Sequence, residues 1–137
     1  MLLPLPGSVV RDLSLENHLA LAAIRSGQGT AETIVSLLRM LYMTYFMLGT
    51  ECPEADLALF CEAETVLDSS ISAAGQGHGW QVSAEQLLPV GQVALRYDEV
   101  LGRVPKYCYI ESWDRLCRFV HSAATSPLPG SQLAARS

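Results

Sequence analysis

The residues in this chain able to do chemistry are a few charged side chains set against apolar surroundings. Glu64 falls beside Phe60, Leu67 and Ile71, and Asp98 beside Ala94 and Leu101. A carboxylate facing a core needs a partner, or its pKa rises. Arg39 is the only charge in the apolar run from Ile34 to Leu48, and His18 lies one helix earlier. One expectation is an interhelical pocket in which Glu64 and Asp98 meet Arg39 or His18 and hold a small ligand. The plainer one puts each carboxylate head in water at a helix flank, with Arg39 reaching out along its stem.

Other chemistries find less support. Metal sites in helical bundles use inward Glu and His, commonly as Glu-x-x-His on two helices. Here Glu16-Asn-His18 has the wrong spacing, and His18, His78 and His121 fall in different segments. No metal or cofactor is expected. Cys52, Cys61, Cys108 and Cys117 form no Cys-x-x-Cys pair. Their two nine-residue spacings turn each pair to opposite sides of a helix, so buried reduced thiols are expected. No Gly-x-Ser-x-Gly elbow is present, and Cys117 and His121 alone have thiol–imidazole contact spacing. No catalytic set emerges. Gly75-Gln-Gly77-His-Gly79 lacks the preceding strand, the immediate following helix and the Lys-Ser/Thr of a phosphate loop. It reads as a linker, with His78 exposed and Trp80 tucked into the bundle.

Two surfaces are candidates for docking. Glu51, Glu54, Asp56, Glu62, Glu64 and Asp68 come without an intervening Lys or Arg, and Glu54 and Glu62 share a helix face. Tyr107, Tyr109 and Trp113 cluster just after Pro105, and such aromatics suit interfaces as well as cores.

The elements carrying these residues read as helices throughout. Ser14 is a cap for Leu15–Ser26, with Gly27 just past its end. Thr30 caps a helix over about 31–48, stopped by Gly49, and Pro53 opens another that runs to about Ala74. Ser83 and Gln86 have capping-box spacing. Pro89 then either kinks the fourth helix or marks its true start. Pro105 ends it, and a fifth covers about Lys106–Ala123. In that helix Tyr109, Trp113, Leu116 and Val120 make the apolar stripe, and Glu111/Arg115 and Asp114/Arg118 are spaced to pair. Trp80–Val82 suits one short extended piece. The second helix is apolar nearly all round, which places it at the centre with neighbours on every side. The fold expected is all-α: a compact bundle of about five helices, one domain over 1–125, with 126–137 a disordered tail.

Composition narrows the function. In 137 residues, hydrophobic residues make up 50% and charged ones 17%, below the roughly 25% of an average soluble domain. Nine Lys+Arg stand against 14 Asp+Glu, so nucleic-acid binding through Arg96, Arg103, Lys106, Arg115 and Arg118 is disfavoured. The run Ile34–Leu48 would rise about 22 Å as a helix, short of a hydrocarbon core of about 30 Å, so no membrane span is expected. With no secretory pattern at its start, the chain is read as cytoplasmic. Surplus apolar helix surface without catalytic residues points to protein–protein interaction: an adaptor, regulator or inhibitor that self-associates as a homodimer or larger homo-oligomer. The other reading is a ligand-binding bundle or an enzyme with an interhelical pocket.

Overall fold

A computed structural model describes residues 3–80 and 82–135. Five long helices make an all-α bundle: α1 (Gly7–Arg25), α2 (Ala31–Leu48), α3 (Glu54–Gly75), α4 (Leu88–Leu101) and α5 (Lys106–Val120). A single 3₁₀ turn, Gly49–Glu51, joins α2 to α3, and a one-turn helix, α6 (Gln132–Ala135), closes the chain. Among the described residues there is no strand. Pro4 and Pro105 form one isolated bridge, and Lys106 N–H donates to the Leu3 carbonyl at 2.7 Å. The expected extended piece at Trp80–Val82 includes Gln81, outside the described residues.

α2 is the centre because its sequence leaves no polar face. It packs on α1, α3, α4 and α5 and buries Ile34, Leu37, Met40, Leu41, Met43 and Met47. By length and composition alone Ala31–Glu51 could cross a membrane, and 44% of its apolar window is buried against the rest of the chain. Its bounds follow from local chemistry. The Thr30 and Thr33 side chains cap each other's backbone N–H reciprocally, and Gly49 takes the positive φ that ends the helix.

Three boundaries differ from the sequence reading. α1 begins at Gly7, not after Ser14; Pro6 is the residue before it, and proline tolerates a helix start. Ser14 sits inside the helix. Pro89 lies in the first turn of α4 and marks its true start. The Ser83/Gln86 capping box does form, Gln86 N–H to Ser83 Oγ at 3.2 Å, but it closes a separate turn before the helix. α5 stops at Val120, where the His121 and Ser122 N–H groups cap the last carbonyls.

The α5 stripe is also rotated from its expected setting. Ser112 and Leu116 are buried, while Trp113 and Val120 are 39% and 66% exposed. The pairs Glu111/Arg115 and Asp114/Arg118 are not closed as ion pairs. α4 instead carries the ionic face: Arg96 bonds Asp56 of α3 at 3.0 Å and Glu99 at 3.2 Å.

The tail also departs from expectation. Ser126, Leu128 and Ser131 are buried, Leu128 joins the main core, and α6 packs on α3. Residues 136 and 137 lie outside the described part.

One close approach fixes the turn between α1 and α2. A Cβ on Gly29 would lie 2.9 Å from the Trp80 carbonyl oxygen and 3.1 Å from Ile24 Cγ1. Gly29→Ala is therefore expected to lower stability by about 1–3 kcal/mol. Gly75→Ala, where a Cβ meets nothing within 4 Å, is expected to be neutral. Urea unfolding of the two variants side by side makes the comparison.

Candidate functional site

The four residues expected to share a pocket are not joined. His18 and Asp98 do meet: His18 Nε2 lies 2.8 Å from Asp98 Oδ2, linking α1 to α4. The second oxygen, Asp98 Oδ1, is enclosed without a partner. Glu64 is elsewhere, and no hydrogen bond or ion pair ties it to His18, Asp98 or Arg39.

Glu64 is fully buried, and three hydroxyls hold it. The Tyr42 O–H donates to Oε2 at 2.7 Å, the Ser126 O–H to the same oxygen at 2.5 Å, and the Ser131 O–H to Oε1. Each serine oxygen in turn accepts a backbone N–H two residues on, from Leu128 and Leu133, both at 3.1 Å. These short turns aim the hydroxyls inward. Burial, and then the Glu64 carboxylate it donates to, raise the Tyr42 pKa far above the usual phenol range. Sequence reasoning singled out Glu64 but missed Tyr42, Ser126 and Ser131. The only available signal was the doubled Ser-x-Leu at 126–128 and 131–133.

Arg39 emerges on the exposed side of α2, where two hollows share it. One is an apolar groove of about 340 Å³ between α2 and α5. Val35, Leu38 and Tyr42 line it from α2, and Trp113, Leu116, Phe119 and Val120 from α5, with Cys117 and His121 at its edge. Phe119 packs edge-on against Tyr42, ring centres 5.4 Å apart. The groove exists because α5 packs chiefly on α2, leaving its flank uncovered. The other hollow is a smaller crevice of about 170 Å³ reaching between α1, α2, α4 and α5. Glu16, Asn17, Arg39, Tyr97 and Tyr109 bring polar atoms to it, and Arg39 and Trp113 line both it and the groove. Burial first, then Tyr109 and Glu16, raise the Tyr97 pKa far above its usual range. Burial and Glu16 raise that of Tyr109 against the opposing pull of Arg39.

The expected docking residues divide. Tyr107 and Trp113 are exposed on α5, and Tyr109 is half-buried in the crevice wall. Glu54 and Glu62 face water on α3. Among the described residues no cluster of His, Cys, Asp and Glu could hold a metal. Cys52, Cys61 and Cys108 are half-buried and Cys117 is exposed; burial raises the thiol pKa of Cys52 and Cys61. No family model, curated protein or solved structure matches the chain.

Two outcomes follow from the Glu64 cluster. Glu64→Ala strands three buried hydroxyls and is expected to cost about 3–5 kcal/mol in urea unfolding; Glu64→Gln, which keeps an acceptor, should cost less. Raised tyrosine pKa values stabilise the fold fully below the unfolded value of 10.0, and that contribution is lost as pH climbs from there toward the folded values. Unfolding free energy should therefore fall above pH 10, with phenolate absorbance from Tyr42 and Tyr97 appearing only as the chain unfolds.

Proposed function

We propose that this chain is a protein-docking module, acting as an adaptor, regulator or inhibitor, which seats one amphipathic helix of a partner in the α2/α5 groove. The observation that carries the reading is the groove itself: apolar walls with Val35, Trp113 and Val120 substantially exposed to solvent. Scattered exposed apolar residues need no explanation, but several converging on one hollow mark an interaction site.

The dimensions favour a helix. The wall runs from Val35 to Tyr42 on α2 and from Trp113 to Val120 on α5. Seven residues of helix rise about 10.5 Å, the span of apolar anchors at i, i+4 and i+7 that helix-in-groove partners present. Charge selects among such helices. Arg39 lines the groove and, among the described residues, no carboxylate does, although the chain carries a net charge of -5. The fitting partner therefore flanks its apolar face with Asp or Glu.

Fluorescence anisotropy with a labelled synthetic helix of about 16 residues, apolar at i, i+4 and i+7 and flanked by glutamates, tests this. It should bind at least about tenfold more tightly than its lysine-flanked twin. Val120→Asp, a change at a residue 66% exposed, should abolish binding while leaving the helical circular dichroism intact. Equal binding to Val120→Asp, or binding of neither peptide, overturns the reading. So does a native mass of twice 14.9 kDa that Val120→Asp returns to 14.9 kDa, since a second copy would then occupy the groove.

A further inference from the structure

We propose that the crevice between α1, α2, α4 and α5 binds a small zwitterion, a free α-amino acid with an apolar side chain, between Arg39 and Glu16. Both side chains line the same hollow of about 170 Å³. Both lie on exposed positions, and neither makes a hydrogen bond or an ion pair, with each other or with any described residue. Two opposite charges held on one crevice without closing on each other leave a gap with a cationic and an anionic side. A ligand that carries its own carboxylate and ammonium on adjacent carbon can satisfy both at once. Ligands with a single charge satisfy one and leave the other unanswered.

The rest of the crevice suits the same ligand. Asn17 is 7% exposed; its side chain already hydrogen-bonds Tyr97, and the rest of its amide faces the ligand. The Tyr109 hydroxyl stands where both charges act on it, Glu16 raising its pKa and Arg39 lowering it. Met40, Met43 and Trp113 supply the apolar wall. Binding sites are commonly of this make, apolar with a few convergent polar groups. This crevice falls below the usual range of about 300–1,000 Å³ for drug-sized ligands. That size suits one amino acid.

The proposal is independent of helix docking, although Arg39 and Trp113 border both hollows, and its test keeps the two apart. Titration calorimetry and amide NMR shifts are read with free L-leucine, L-methionine and L-phenylalanine, at up to about 10 mM, ten times a millimolar Kd. Alongside them go the matching amine without carboxylate and acid without amine. The expected result is binding of at least one amino acid, with shifts at Glu16, Ser36 and Tyr109. Both single-charge analogues should bind at least about tenfold more weakly. Arg39→Met and Glu16→Gln, changes at exposed positions that should leave the circular dichroism unaltered, should each weaken binding by a similar factor. Val120→Asp should not change it. No binding of any amino acid overturns the proposal. So does binding indifferent to Glu16→Gln, or an analogue lacking the amine that binds as well as its parent.

Discussion

A carboxylate without solvent is the constraint on which much of this structure depends. Taking a charge such as Glu64 out of water costs several kcal/mol unless hydrogen bonds replace its hydration. The chain meets that demand with hydroxyls, one from α2 and two from beyond α5. The consequence is long-range. Residues 126–131 must return across α3 to reach Glu64, and in doing so they bring Leu128 into the core. The exposed stretch 121–125 makes the connection. A segment with no helical period is thus part of the fold because a buried charge requires it.

The same cluster reaches the surface through Tyr42. Its hydroxyl is tied to Glu64 and its ring meets Phe119, so the inner wall of the α2/α5 groove is fixed from beneath. The groove's outer side is open for a different reason. Four helices surround α2, but α5 covers only one strip of it and has little behind it. An apolar central helix with one lightly covered flank leaves apolar side chains in water, Val35 among them. Charged side chains pair on the α3/α4 face around Arg96, and among the residues lining the groove only Arg39 carries a fixed charge.

The sequence made legible what local chemistry determines. Thr30 and Gly49 bound α2 because a cap and a positive-φ glycine act within one turn, and the continuous apolar run placed that helix at the centre. Gly7 as a helix start was not legible, because Pro6 offers no capping side chain and Ser14 offered a better one in the wrong place. The α5 stripe was misread because Trp113 and Val120 share a period with Leu116. Periodicity says which residues align, not how far around the neighbouring helix reaches. Glu64 stood out as a carboxylate on an apolar stripe, yet its partners lay 22, 62 and 67 residues away in sequence. Long-range satisfaction of a buried group leaves no local trace. His18 and Asp98 were both suspected, and their pairing across 80 residues needed the packing of α1 on α4 to become visible.

Arg39 shows how one residue acquires two possible roles from its position alone. An arginine inside an apolar run on the central helix cannot be buried without a partner, and the fold supplies none, so its head must leave along the helix surface. It emerges where α5 leaves α2 uncovered, between the groove and the crevice. One guanidinium cannot give its full set of donors to two carboxylates in different hollows. An acidic helix in the groove and a zwitterion in the crevice would therefore oppose each other, by the same factor in either direction, because coupling between two binding equilibria is reciprocal. Arg39, the one basic residue of α2, is thus the place where events in one hollow would be felt in the other.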